Sequence, residues 1–163
     1  MGRAAESIVI AASVSEVWDV YFDGSRWPAW VDGFRHVEEE DDGYPGQGGT
    51  LRWRSTPAGR GVVTERVVEH VPKRLHRVAF SDDSSSGELT TRFEIERSSS
   101  DAEPLTLVAQ EEDYRLHTRS PLAIVTDALF VRPQIARSLA RSLEGLRDEV
   151  EAVAGMAPRD GSV

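Results

Sequence analysis

Three consecutive carboxylates, Glu111-Glu112-Asp113, are followed directly by Tyr114 and then, nearby, by His117. On an extended strand successive side chains point to opposite faces, so at least one of these acids turns toward the interior. A carboxyl group in an apolar cavity holds its proton more tightly and becomes a candidate general acid or base. With Tyr114 or His117 beside it, enolisation and dehydration are the reactions such a group could run. The competing reading is a solvated strand end, and the sequence designates no catalytic residue.

His70 and His76 flank the turn Pro72-Lys73-Arg74. A three-residue hairpin loop there sets the two imidazoles opposite each other, with Val68 opposite Val78. Two histidines hold a metal only with further ligands, and none is evident, so no metal site is expected and both read as surface residues. His36 and His117 stand alone. The acidic run Glu38 to Asp42 reads as a solvated loop and lacks the ligand pattern of a calcium site. The chain has no cysteine, which excludes disulfides, thiol nucleophiles and thiolate metal ligands. No nucleophile elbow, phosphate-binding loop or dinucleotide fingerprint occurs, so no cofactor is expected. Gly46-Gln47-Gly48-Gly49 precedes a strand rather than a helix and reads as a flexible turn.

Four tryptophans carry much of the aromatic content. Ordinary packing explains most of them, and Trp18 in particular reads as core. Trp30 and Trp53 are candidates for lining a ligand cavity, with Phe93, Tyr114 and Phe130 joining them. An aromatic-lined pocket suits a planar, mostly apolar ligand. Arg52 or Arg54, Glu112 and Tyr114 are the polar groups expected to orient it.

The elements that must position these residues follow from periodicity. Ser7–Ala11 reads as a short first strand. Ser13 or Ser15 caps a helix whose apolar face is Val17, Trp18, Tyr21 and Phe22, ended by Asp23-Gly24. A very short helix follows around Trp27, Pro28 and Trp30. Strands are predicted over Phe34–Glu40, Thr50–Ser55, Gly61–Val71, Leu75–Ser81, Glu88–Arg97 and Leu105–His117, separated by short turn-rich segments that imply antiparallel hairpins. In Glu88–Arg97 the residues Leu89, Thr91, Phe93 and Ile95 point inward. Leu105–His117 shows no clear alternation, so a bulge or a two-sided environment is expected and its faces stay open.

A long amphipathic helix closes the domain, starting at Ser120-Pro121. Ile135, Leu139, Leu143, Leu146, Val150 and Val153 form one stripe at spacings of three and four. Pro133 cannot donate to the carbonyl of Leu129, which predicts a kink. The tail 155–163 is expected to be disordered. A helix laid across a curved sheet leaves room between the two, and that room is where a small molecule could sit.

At 163 residues the chain suits a single domain, over 4–154. A formal net charge of -9 opposes nucleic-acid binding. No apolar run reaches membrane-spanning length, so no membrane insertion is expected. The start Met1-Gly2 with Ala5, Glu6 and Ser7 fits a myristoylation signal poorly, and no signal-peptide core is present. A cytoplasmic location and a monomer or weak homodimer are expected.

The order strand, helix, short helix, six-strand meander and long helix resembles the helix-grip fold. Ile10-Ala11-Ala12-Ser13-Val14-Ser15-Glu16-Val17-Trp18-Asp19-Val20, then Asp23, Trp27 and Trp30, resemble the START-like (SRPBCC) superfamily in its polyketide cyclase/dehydrase and lipid-transport branch. Val67 to Leu75 resembles that family's turn after the fourth strand, and Ser142 to Glu151 its closing helix. The resemblance implies an α+β fold in which a seven-stranded antiparallel sheet wraps around the C-terminal helix, with two short helices after the first strand. It also implies that Trp30 lies near a cavity mouth. Three functions remain open: a carrier or sensor of a small hydrophobic or aromatic molecule, an aromatase/cyclase or dehydratase-type enzyme, and a protein-interaction module. A carrier predicts an apolar cavity free of carboxylate and imidazole. An enzyme predicts an acid, histidine or tyrosine cluster on the wall with perturbed titration. An interaction module predicts a collapsed cavity and an exposed apolar patch.

Overall fold

The computed structural model describes residues 1–96, 104–117 and 127–156. Seven strands form one antiparallel sheet in the order β1-β7-β6-β5-β4-β3-β2, so β1 crosses over to pair with the last strand while the others follow as a meander. They are β1 (Gly2–Ile10), β2 (Phe34–Glu40), β3 (Thr50–Ser55), β4 (Val62–Val71), β5 (Leu75–Ser81), β6 (Ser85–Glu96) and β7 (Leu105–Leu116). Between β1 and β2 lie α1 (Val14–Tyr21) and α2 (Trp27–Trp30). The closing helix is α3 (Arg132–Met156), 25 residues long. The expected fold class is the one observed.

Local signals explain the helix ends. Ser13 Oγ accepts the Glu16 backbone N–H at 3.3 Å while the Glu16 carboxylate accepts the Ser13 N–H at 2.8 Å. This reciprocal capping box fixes the start of α1 and selects Ser13 over Ser15. A π-helical turn, Asp127–Val131, leads directly into α3. Pro133 has no N–H for the residue four back, and a widened turn just upstream accommodates that loss. The proposed cap at Ser120-Pro121 and residues 157–163 of the expected tail lie outside the described residues, as does Arg97 at the predicted end of β6, whereas Gly155 and Met156 continue α3 rather than opening a tail.

The stripe on α3 is the expected one: Leu139, Leu143, Leu146 and Val150 are buried, with Ile135 and Val153 half-buried at its ends. Leu143, Leu146 and Val150 pack with Ile10, Val17, Val63 and Val108 in one core between helix and sheet, with Ile135 and Val153 against it. Two strand faces differ from expectation. Ile95 is 79% exposed, because it lies near the end of β6 beyond the cover of the helices. β7 alternates without interruption, and Thr106, Val108, Gln110, Glu112 and Tyr114 all point inward. No bulge is needed. The inward row mixes polar and apolar side chains, which is why hydrophobicity alone left its faces open.

Register shifts lie elsewhere, two between β2 and β3 and one between β4 and β5. His70 does pair with His76, but Val67 rather than Val68 faces Val78, with the register shift between Val67 and Glu69. The extra residue turns His70 onto the face it shares with His76.

Candidate ligand-binding site

The hollow beneath α3 has two compartments joined along Asp32, Trp53, Arg60, Glu112 and Ser138. The inner chamber is about 120 Å³. A cavity of roughly 150 Å³ accepts one benzene ring, so this chamber is of single-ring scale. The outer vestibule is about 450 Å³, within the size range of small-molecule sites.

Aromatic rings enclose much of the chamber. Tyr21 comes from α1, Trp27 and Trp30 from α2, Phe34 from β2, Tyr44 from the β2–β3 loop and Trp53 from β3. Trp27 is anchored by donating from Nε1 to the Tyr21 carbonyl at 2.8 Å. Tyr44 is brought in by a loop that Asp41 organises. The Asp41 carboxylate accepts from the backbone N–H of Gly43, Tyr44 and Thr50 and from the Thr50 hydroxyl, at 2.6 to 3.1 Å. The glycine turn beyond it is tied to β4, with Gly48 N–H donating to the Val67 carbonyl at 2.9 Å and Val67 N–H to Gly49 at 2.8 Å.

The polar groups on the wall come from strand positions that share a face with core residues. Glu65 lies between Val63 and Val67 on the inward face of β4, and Gln110 and Glu112 lie between Val108 and Tyr114 on β7. Glu65 accepts from Trp53 Nε1 at 2.8 Å. Burial raises the pKa of Glu65, against the opposing pull of Trp53 and Arg60. Burial likewise raises Glu112, opposed by Arg60 and reinforced by Asp82 and Glu65. Burial pushes the Tyr21 phenol up to about 12. It raises Tyr44 as well, with Glu65 adding to the effect. His76, 3% exposed, is driven down to about 3 by burial and then by His70. Its Nδ1 lies 3.1 Å from His70 Nδ1, so one ring donates and the other accepts. His76 is therefore a buried wall residue and not the surface histidine expected.

Several buried polar atoms here have no protein partner: Trp30 Nε1, His76 Nε2, Gln110 Oε1 and Arg60 Nη2. The other end of Gln110 is satisfied, its Nε2 donating to Thr91 Oγ1 at 3.3 Å, and Tyr21 OH shares the same hydroxyl at 3.0 Å. Leaving a buried polar atom unpaired costs about 1–3 kcal/mol, and these four belong to residues that line the hollow.

At the junction of the compartments Arg60 donates from Nε to Asp82 at 2.6 Å, and its Nη1 lies 3.9 Å from Glu112. Its guanidinium also stacks 4.5 Å over the Phe80 ring. Burial works to raise Asp82, but Arg60 and the backbone N–H groups of Ser84 and Ser85 outweigh it and hold the pKa low. Asp32, on the loop after α2, is gripped by α3. Arg141 donates two hydrogen bonds to it at 2.9 and 2.8 Å, and Ser138 one at 2.7 Å. The Asp32 N–H donates in turn to Ser142 Oγ at 2.9 Å.

Of the residues singled out from sequence, Trp30, Trp53 and Glu112 line the chamber together. Phe93 is buried against Trp18 and Tyr21 and Tyr114 is 1% exposed, but neither lies on its wall. Phe130 is 66% exposed, at the turn before α3. Arg52 and Arg54 face away and both pair with Glu38, at 3.1 and 2.6 Å, so Glu38 belongs to an ion-pair group rather than a free loop. Arg60 takes the place foreseen for them. Trp18 is half-buried rather than core, packed on Phe22, His70 and Phe93. No group of three His, Cys, Asp or Glu among the described residues could hold a metal ion. No helix among them is long and apolar enough to cross a membrane.

Solved structures share this architecture. The Zhui aromatase/cyclase from Streptomyces sp. R1128 aligns with a TM-score of 0.67 at 16% identity, covering 96% of this chain and 98% of that one. A START superfamily protein from Mycobacterium smegmatis aligns at 0.64 and 14% identity, covering 93% and 98%. Norcoclaurine synthase from Thalictrum flavum, in complex with dopamine and hydroxybenzaldehyde, aligns at 0.61 and 16% identity, covering 93% and 87%. At such identities the likeness is one of fold. Comparison with curated proteins gave no match. The family model for polyketide cyclase / dehydrase and lipid transport matches residues 1–151. Fold, cavity and sequence model agree, and the chain belongs to that family.

Proposed function

We propose that the protein binds a small ring-bearing molecule in the inner chamber, with room for a larger remainder in the vestibule. The observation that carries this reading is the single-ring chamber walled by aromatic side chains yet fringed with unpartnered polar atoms. A ligand there gains apolar burial at about 25 cal/mol per Å² and completes hydrogen bonds that the chain leaves open. The solved relatives that hold or act on aromatic compounds, by their names, support the same class of guest. Native mass spectrometry of the purified protein, joined to a thermal-shift screen of aromatic compounds, tests it. A retained small molecule or a saturable rise in melting temperature is expected. A protein that carries nothing and responds to no compound would end the proposal.

A second reading, an acid–base enzyme of the cyclase or dehydratase type, is favoured by one feature. The wall holds Glu65, Glu112, Tyr21, Tyr44 and His76, with pKa values displaced by burial, which is the pattern an enzyme requires and a plain carrier does not. In this reading Glu112, whose proton burial holds more tightly, gives it to a hydroxyl that leaves as water. Glu112→Gln then abolishes turnover of a hydroxylated substrate while binding persists. Equal loss of binding and turnover would count against it.

A further inference from the structure

The charges around the chamber do not balance. Among the described residues Arg60 is the one lysine or arginine on its wall, against Asp32, Glu65 and Glu112. Asp32 is satisfied by Arg141 from outside the chamber, at 2.8 and 2.9 Å. Arg60 is committed to Asp82 at 2.6 Å and stands 3.9 Å from Glu112. Glu65 has a single neutral donor, Trp53 Nε1. Glu112 and Glu65 thus face one hollow with less than one positive charge between them. A bare carboxylate in such surroundings is costly, and burial favours the protonated form of both groups.

An ammonium group supplies what is missing. It donates three hydrogen bonds and accepts none, so it suits acceptors. Gln110 Oε1, on a side chain only 4% exposed, is an unpartnered acceptor two residues from Glu112 on the same face of β7. Trp27, Trp30 and Trp53 line the same chamber, and indole rings attract cations, most strongly when desolvated. An anionic guest meets the two carboxyl groups instead. The unpartnered donors Trp30 Nε1 and Arg60 Nη2 are not served by an ammonium and mark where an oxygen of the same ligand would bond.

We propose that the chamber takes a compact aromatic amine in its ammonium form, held by Glu112 and Glu65 with Gln110 Oε1 as a further acceptor. The inference rests on the small-molecule reading above and adds the charge class of the ligand. Binding exchanges a carboxyl proton for the ammonium, so it releases a proton to solvent at mildly acidic pH. The other titratable groups that face the chamber are Tyr21 from α1, Tyr44 from the β2–β3 loop and His76 from β5. The phenols stay protonated and the imidazole stays neutral there, so none of them accounts for that proton.

The test is calorimetric titration of the full chain with three probes on one carbon frame: 2-phenylethylamine, 2-phenylethanol and 3-phenylpropionate. Each is measured in two buffers of different ionisation enthalpy. The amine is expected to bind at least about tenfold tighter than the alcohol, a step of one charge-assisted contact. Only the amine should show proton release, and the carboxylate should bind weakest. Glu65→Gln with Glu112→Gln, checked for folding by circular dichroism, should erase the preference for amine while the alcohol still binds. Alcohol binding as tight as amine, or carboxylate binding tighter than both, overturns the amine assignment and leaves the small-molecule reading standing. A preference for amine that survives the double substitution overturns the assignment to these carboxylates. Failure of all three probes, the neutral alcohol included, overturns the small-molecule reading and this inference with it.

Discussion

His76 and Glu112 titrate in opposite senses, and each leaves a signature in the pH dependence of stability. Burial holds the His76 imidazole neutral down to about 3, so below the ordinary histidine range the unfolded chain binds a proton that the native state refuses. Stability from this residue is complete above that range and is lost as pH falls through it toward 3. Urea titrations across the acid range should show that loss in the wild type and a shallower one in His76→Gln. For Glu112 the native pKa is raised, so the native state binds more protons and stability falls as pH climbs above the ordinary carboxyl range. Glu112→Gln should therefore match or exceed the wild type in urea midpoint at neutral pH, by up to about 1–2 kcal/mol, as happens when a costly functional group is neutralised. A clear loss of midpoint would mean that the Arg60 contact outweighs the burial cost. Glu112 was legible because an acid on a half-buried strand has even odds of facing inward. Glu65 was equally legible, since it shares its parity with Val63 and Val67. Arg60 carried no such sign, since it sits in the β3–β4 turn and reaches the site through tertiary pairing with Asp82.

Among the elements, those with strong local signals sat where periodicity put them. The bounds of β2, β3 and β5 coincide with expectation. β1 runs five residues further back, because Gly2 to Glu6 gain a partner in β7 that local propensity cannot foresee. The box at Ser13 and Glu16 is local chemistry, and Ser13→Ala should cost about 1 kcal/mol in thermal or urea unfolding. The contact between α2 and α3 is not local at all. A Cβ built on Gly145 would fall 2.9 Å from Trp30 Cα and 3.2 Å from its carbonyl oxygen, both backbone atoms that cannot swing aside. Alanine gains up to about 1 kcal/mol in helix propensity, whereas overpacking costs about 1–3 kcal/mol, so Gly145→Ala should lose stability on balance. Because the displaced residue is Trp30, the same substitution should also weaken ligand binding, read by tryptophan fluorescence. An unchanged melting temperature would show that α3 can shift at no cost.

At the scale of the whole molecule the premise was that a helix clasping a curved sheet leaves a hollow, and two joined compartments occupy that place. What the pattern of residues did not reveal was how α3 is fastened over the hollow, because that contact joins residues more than a hundred positions apart. Asp32 is the joint: the backbone and side chain of one loop residue are both held by α3. Asp32 borders chamber and vestibule alike, so a guest that left by that route would pass a charged contact that is itself partly open to water. Exposed ion pairs are worth about 1 kcal/mol or less and fade with ionic strength. Arg141→Ala, or added salt, should therefore speed dissociation of a bound fluorophore several-fold in stopped flow while the urea midpoint barely moves. The dwell time of a cargo would then follow the salinity around the protein, a setting imposed from outside rather than by the walls that recognise it.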